Sequence, residues 1–245
     1  MDNALRALVF DVDGTLADTE ACHLEAFNHA FAAEGLDWHW DEALYTQLLD
    51  VSGGKERLLH YWKRMRGDVV DIGDGRGVTE TIERLHALKT AAYEAMVNEG
   101  RVHLRPGVLQ LFEQARSAGL TLAIATTTSP VNIAALLRRA IGPQWRLHFA
   151  AVCDAVSAPL KKPHPQVYQR TLAQLKLAPQ ACIAFEDSAN GLRAATAAGL
   201  PTVVTPTRFT RHHDFDGALR VLPDLGGVHL PELRRWHAQT LETTT

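Results

Sequence analysis

Apolar positions along this chain follow two rhythms. Near the N-terminus, "LRALVF" is a short unbroken apolar run, the pattern of a strand buried on both faces. The rhythm then turns helical. In "ACHLEAFNHAFAAEG", Leu24, Phe27, Ala30 and Phe31 recur at helical spacing and Gly35 offers a stop. "DEALYTQLL" and "GKERLLHYWKRM" predict two more helices, and "TETIERLHALKTAAYEAMVNEG" predicts a long one. On that helix Ile82, Leu85, Leu88, Ala92 and Met96 share a face, Thr79 is placed to cap its start and Gly100 to end it. "RGDVVDIGDGRG", between these helices, reads as a Gly- and Asp-rich loop. No strand is expected between Glu20 and about Asn98.

From Arg101 the two rhythms alternate. "PGVLQLFEQARSAG", "PVNIAALLRRAI", "HPQVYQRTLAQLKL" and "SANGLRAATAAG" read as helices. "LTLAIAT", "FAAVCD", "ACIAFED" and "LPTVVT" read as strands between and after them. Such alternation predicts an α/β fold, a parallel sheet with helices on both faces. The expected layout is a core domain from residues 1–17 and 100–245, interrupted by an α-helical cap over 18–99. The two crossings, near 17–20 and 98–104, are expected hinges, and the tail "LETTT" is expected to fray.

Composition narrows the class. A length of 245 residues suits one large domain, or a main domain with an insert, and suffices for a core without staples. The net charge of −3 does not indicate a nucleic-acid surface. No run approaches membrane-spanning length, and "MDNALRALVF" lacks a signal-peptide pattern. Cys22, Cys153 and Cys182 show no CxxC spacing; a sparse, odd set fits a reducing compartment and core filling. The expectation is a monomer in the cytoplasm, or in the plastid stroma if a transit peptide has been removed. The tryptophans Trp38, Trp40, Trp62, Trp145 and Trp236 are assigned to packing. His212 and His213 read as a basic surface pair, and no histidine pair has zinc-site spacing.

Open parallel sheets bind ligands beyond the carboxyl ends of their strands. Just past the apolar runs come Asp11 and Asp13, then Thr126, Thr127, Thr128 and Ser129, then Lys161 and Lys162 before Pro163, then Glu186 and Asp187. Each alone has an ordinary reading as a strand-end hydroxyl or a solvated charge. At four successive strand ends they define one constellation, and phosphoryl transfer is the chemistry that needs it. Clustered carboxylates repel unless a cation neutralises them, and hard oxygen ligands suit Mg²⁺. A carboxylate nucleophile splits hydrolysis into two displacements through an aspartyl-phosphate. A second acid protonates the leaving alkoxide and then deprotonates the attacking water. A lysine, a hydroxyl and backbone amides hold the phosphate oxygens.

The stretches "DVDGTLADTE", "ATTTS", "KKPHPQVY" and "EDSANGLRAATAAG" resemble, in order, the four motifs of the haloacid dehalogenase superfamily. The helical insert after the first motif resembles the small α-helical cap of its β-phosphoglucomutase-like branch. The resemblance implies a Rossmann-like core and assigns roles by motif position. Asp11 is the implied nucleophile and a Mg²⁺ ligand. Asp13 is the implied acid/base and offers its backbone carbonyl to the metal. Thr126 and the Thr127 amide hold the phosphoryl group, Lys162 is the motif lysine, and Glu186 and Asp187 complete the metal site. Ser188 and Asn190 are implied supporting or helix-capping residues; Gly14 permits a tight turn and Thr15 supports the loop. Lys161 keeps its reading as a surface neighbour. "TEACHLEAFNHAF", "SGGKER" and "FTRHHDF" further resemble the CbbY-type sugar-bisphosphate phosphatases. That likeness implies removal of the 1-phosphate of xylulose 1,5-bisphosphate, a Rubisco inhibitor, and a place beside the Calvin cycle.

"VSGGKER" also has its own physical reading. Gly53 and Gly54 let backbone amides approach a ligand, and Lys55 and Arg57 add positive charge at the same helix start, which makes a second anion site. The alternative is a glycine-started helix with a solvated basic turn. It is not a Walker A loop, because Glu56 follows the lysine where Ser or Thr is required. Glu20 and His23, just past the first motif, are placed to face the sugar, His23 alternatively to orient Asp13. Tyr45 reads equally as a sugar contact or a core residue. A hexose-phosphate mutase would use the same core, and a phosphoglycolate-type phosphatase remains open. A receiver-type signalling module shares a phosphorylated Asp, but not the acid/base Asp13 or an enclosing cap. A scaffold without catalysis is disfavoured because no motif position is lost.

Overall fold

A computed structural model describes residues 4–66 and 77–242. The expected loop "RGDVVDIGDGRG", apart from its two ends, and the last three residues of the expected frayed tail lie outside the described residues.

Among the described residues, β1 (Ala7–Phe10) is followed by the helices α1 (Glu20–Ala33), α2 (Glu42–Leu48), α3 (Gly54–Arg66) and α4 (Val78–Asn98). Alternation follows: α5 (Val108–Ser117), β2 (Thr121–Ala125), α6 (Pro130–Ile141), β3 (Ala151–Cys153), α7 (Gln166–Leu175), β4 (Cys182–Glu186), α8 (Ala189–Ala197) and β5 (Thr202–Val204). A short edge strand β6 (Arg220–Val221) and helix α9 (Leu230–Glu242) close the described chain. The apolar pattern did not reveal these last two elements. β6 is two residues long, and α9 begins at Leu230–Pro231 after the Gly-Gly stretch 226–227, which reads as a loop. One predicted cap also moves: Gly77, not Thr79, occupies the N-cap of α4.

Among the described residues the six strands are all parallel, in the order β3-β2-β1-β4-β5-β6. The direction of winding reverses at β1, so a crevice opens at its carboxyl end. The strands read as unbroken apolar runs because helices cover both faces. The period of two sorts their residues by size. Leu8, Phe10, Leu122, Ile124, Ile183 and Phe185 fill one face; Ala7, Val9, Ala123, Ala125, Cys182 and Ala184 fill the other. All three cysteines are free and buried.

Two packing facts bear on the site. Phe10 stacks on Phe185 at 4.5 Å between centroids and meets Phe112 edge-on at 5.1 Å. Each fully buried ring contributes about 1.5–3 kcal/mol, so the strand ends that carry Asp11 and Glu186 are rigidly seated. The insert has an aromatic cluster of its own, with Phe27, Phe31, Trp38, Trp40, Tyr45 and Trp62 at its centre. Its first and last helices also root in the main core, through Cys22 and Ala26 on α1 and Tyr93, Met96 and Val97 on α4.

Candidate active site

The sheet register brings the expected residues together. Phe10 pairs with Ile124 on one side and Phe185 on the other, so the next step places Asp11 beside Ala125 and Glu186. Lys162 reaches in from the segment after β3. Its Nζ donates to Asp11 Oδ1 (2.7 Å), Glu186 Oε1 (2.5 Å) and the Ala125 carbonyl (3.0 Å). Burial works against the charge on Lys162, but Asp11 and Glu186 more than offset it and hold its pKa above the ordinary lysine value. Tyr168 on α7 donates to the same Glu186 oxygen. Thr126, buried at the end of β2, lies on the wall of the cleft with Thr127. The cleft measures about 500 Å³ and lies between these strand ends and the helical insert.

Asp13 is held from the insert side. Its Oδ1 accepts from Thr19 Oγ1 (2.8 Å) and lies 3.0 Å from His23 Nε2. Lys89 Nζ, on α4, lies 2.9 Å from His23 Nδ1. An ammonium can only donate, so Nδ1 is the acceptor and the imidazole proton sits on Nε2, facing Asp13. Burial raises the pKa of Asp13, but His23, Thr19 and Lys89 together pull it well below the ordinary carboxylate range. Lys89 itself is lowered to about 8, mainly by burial. Beside this chain, Glu20 Oε2 accepts from Tyr45 Oη at 2.6 Å, and Tyr45 Oη accepts from an Arg57 guanidinium nitrogen at 3.2 Å.

Three buried acids, Asp11, Glu186 and Asp187, place one carboxylate oxygen each within 4.8 Å of one another. The donor set is all oxygen, as Mg²⁺ requires. Glu186 Oε2 is buried without a hydrogen-bond partner. The backbone leaves room for these acids: a Cβ on Gly191 would strike the Glu186 carboxylate, and one on Gly14 (φ +77°) the Asp187 carboxylate. The residues therefore fit a divalent cation. Burial, with Asp11 and Glu186 as like-charged neighbours, raises Asp187 well above its usual value. Burial raises Glu186 from 4.5 to about 7, partly opposed by Lys162 and reinforced by Asp11.

A stability prediction follows from the sign of these shifts. An acid whose folded pKa exceeds its unfolded value stabilises the fold below the unfolded pKa and loses that contribution as pH rises through the folded one. For Glu186 this window runs from 4.5 to about 7. In EDTA the melting temperature should fall between about pH 5 and about pH 8, and Mg²⁺ should raise it by several degrees more at the higher pH. Differential scanning fluorimetry with and without Mg²⁺ measures this; an equal Mg²⁺ increment at both pH values would contradict it.

The expected insert residues divide. Glu20, His23, Gly53, Gly54 and Lys55 line the cleft. Lys55 is also paired with Glu83 at 2.5 Å. Arg57 lines the cleft, but its donors serve Leu48 O (3.1 Å), Tyr45 Oη and Val51 O (3.2 Å), so it braces the loop 48–51. Tyr45 is fully buried behind Glu20, not on the cleft wall, because the aromatic cluster encloses its ring. Lys161, read from sequence as a surface neighbour, is half-buried on the cleft wall and donates to Ala155 O at 3.0 Å. Sequence reasoning also missed Lys89, His86 and Tyr168. Each lies on a helix whose spacing reads only as an amphipathic face, so no local signal marks them. His86 is kept neutral, its pKa lowered to about 4 by burial and then by Lys89 and Lys55.

Residues 5–199 match the haloacid dehalogenase-like hydrolase family. The plasmid-encoded CbbY protein of Cupriavidus necator is 53% identical over 259 residues, covering 98% of this chain and 100% of that protein. The crystal structure of CbbY from Rhodobacter sphaeroides in complex with phosphate matches at a TM-score of 0.84 and 42% identity, over 91% of this chain and 96% of that one. A mutant of the Rhodobacter sphaeroides protein in complex with xylulose-(1,5)bisphosphate matches at a TM-score of 0.84 and 41% identity, with the same coverage.

Proposed function

The chain belongs to the haloacid dehalogenase-like hydrolase family and is a phosphatase; on that premise we propose that it hydrolyses a phosphorylated sugar, xylulose 1,5-bisphosphate first among them, with Mg²⁺ and through a phosphorylated Asp11. The carrying observation is the Lys162 ammonium that joins Asp11 to Glu186 on the cleft floor, opposite the Asp13 carboxylate held by Thr19 and His23. The substrate reading is supported by the xylulose-(1,5)bisphosphate complex of a relative 41% identical to this chain.

In this reading an Asp11 carboxylate oxygen attacks phosphorus, and the bond from phosphorus to the sugar oxygen breaks. The departing alkoxide takes a proton from Asp13. A dianionic phosphoryl group beside Asp13 raises its pKa, so substrate arrival itself favours the protonated acid. Water then attacks the phosphorus of the acyl phosphate and gives its proton to Asp13. Phosphate leaves and the Asp11 carboxylate is restored. Thr126 and the Thr127 amide hold phosphoryl oxygens, while Lys162 offsets their charge. Asp11, Glu186, Asp187 and the Asp13 carbonyl would hold Mg²⁺, which neutralises charge between carboxylates and phosphate. Glu20 and His23 face the sugar, with Tyr45 and Arg57 steadying Glu20 from behind. Lys55 and Lys161, with the Gly53–Gly54 amides, offer a second phosphate its counter-charge.

Phosphate release is the test, measured with Mg²⁺ or EDTA on xylulose 1,5-bisphosphate, ribulose 1,5-bisphosphate, fructose 1,6-bisphosphate, β-glucose 1-phosphate and 2-phosphoglycolate. The expected result is Mg²⁺-dependent release with kcat/KM for xylulose 1,5-bisphosphate at least about tenfold above the rest, the scale that a few differential contacts supply. A preference for 2-phosphoglycolate, or isomerised glucose phosphate with little phosphate released, overturns the substrate assignment.

A further inference from the structure

The chemistry above leaves a contact between core and insert unused. α8 starts two residues after Asp187, and Ser188 supplies its N-cap by accepting from Gly191 N at 3.2 Å. With the cap taken, Asn190 turns outward. Its Nδ2 donates to the Asp50 carbonyl (2.9 Å) and to Ser52 Oγ (3.1 Å), and its Oδ1 accepts from Arg193 at 2.6 Å. Asn190 is only 7% exposed. The sequence reading of Asn190 as a capping or supporting residue is thus redirected: its side chain reaches across to the insert.

His213 stands beside it. The Ala189 N–H donates to His213 Nδ1 at 3.3 Å, which leaves the ring proton on Nε2. That Nε2 is buried, has no hydrogen-bond partner, and lies 3.7 Å from Asp50 Oδ1. His212 and Asp50 sit close enough to His213 to suggest a metal trio. A metal needs a lone pair on Nε2, however, and Ala189 assigns that atom a proton, so the nearby Asp50 carboxylate offers that N–H a polar neighbour and not a shared metal.

Asp50–Ser52 leads directly into Gly53 and Gly54 on the cleft wall. Arg57 braces this strap from the insert at Leu48 and Val51; Asn190 braces it from the core. A glycine-containing strap loses much conformational freedom on docking, so holding it in place beforehand favours binding. We propose that Asn190, with His213 as a second point, is a positioning residue that clasps the strap Asp50–Gly54 over the cleft and thereby sets affinity for the part of the substrate remote from the transferred phosphoryl group. This rests on the sugar-bisphosphate reading.

The test compares Asn190→Ala and His213→Ala with native enzyme on two substrates: xylulose 1,5-bisphosphate, and acetyl phosphate, which has no sugar or second phosphate to meet the strap. For Asn190→Ala, kcat/KM on the bisphosphate should fall about tenfold, as loss of two ordinary hydrogen bonds predicts, chiefly through KM. Turnover of acetyl phosphate should stay within about twofold of native, since no bond of the reacting group is removed. His213→Ala should shift KM the same way and less. Equal losses on both substrates would place Asn190 at the metal site and overturn the clasp. Hydrogen–deuterium exchange gives a readout independent of turnover: amides in 49–54 should exchange faster in Asn190→Ala, and unchanged exchange overturns the proposal. If native enzyme ignores the bisphosphate, the substrate reading fails while the exchange result still decides the clasp. Should Asn190→Ala not fold, Ser52→Ala removes one acceptor without touching α8 and should raise KM and strap exchange likewise.

Discussion

Asp11→Asn should abolish multiple-turnover phosphate release, a loss on the order of 10⁴-fold or more, because an amide oxygen cannot replace the carboxylate nucleophile. The same change should leave the fold intact. Asp11 is 6% exposed at the end of a strand whose preceding residue, Phe10, is stacked on Phe185. Burial and the neighbouring Asp13 raise its pKa, with Lys162 opposing them. An isosteric neutral side chain therefore removes one member of a set of mutually repelling acids, while Lys162 keeps its contact with Glu186. In EDTA at about pH 8 the variant should melt no lower than native protein. Malachite-green phosphate assays and melting curves on the same preparation check both halves. Activity within about a hundredfold of native would mean that another residue carries the phosphoryl group.

Lys162→Ala should damage stability as well as rate. Its ammonium is 4% exposed and touches both Asp11 and Glu186. Removing one partner of a buried ion pair costs about 3–5 kcal/mol, which for a chain of this size means a fall in melting temperature of about 10 °C. The fall should be larger at about pH 8 than at about pH 5, because Glu186, raised to about 7, is charged only at the higher pH. Excess Mg²⁺ should recover part of it by supplying the missing positive charge. Turnover should drop on the order of 10³-fold, since a charge aimed at the phosphoryl oxygens is lost. Lys162→Arg should rescue little: Tyr168 and the Ala125 carbonyl close the space around Nζ, and a guanidinium fork does not fit a point contact. Thermal melts at two pH values, with and without Mg²⁺, decide this, and a pH-independent fall would argue that lost packing is the cause.

Both predictions depend on how four distant stretches meet. Asp11 and Lys162 are 151 residues apart in sequence, yet their side-chain atoms are 2.7 Å apart. The motif residues were legible because the topology is simple. Once alternation indicates a parallel sheet, strand ends are the only places where acids, hydroxyls and a lysine can converge. Less was legible in the helical insert. Glu20 and His23 reach the cleft, but the sequence reads equally for Tyr45 as core or contact, and aromatic packing decides for core. Arg57 carries the charge expected of an anion site, yet the carbonyls of Leu48 and Val51 claim it. Lys161 reads as solvated and lies on the cleft wall instead.

What the sequence by itself determined is the α/β core, the interruption by helices, and the acids, threonines and lysine at the strand ends. These follow from periods of two and 3.6 and from strand-end position, which are local properties of the chain. Tertiary structure alone decided which charges are used up and which face the cleft. It set the Lys89–His23–Asp13 chain, the pairing of Lys55 with Glu83, and the reach of Asn190 from α8 to the strap. The physical reason is that a side chain's charge and its direction in a helix are local, whereas the partner it meets belongs to another element placed by packing.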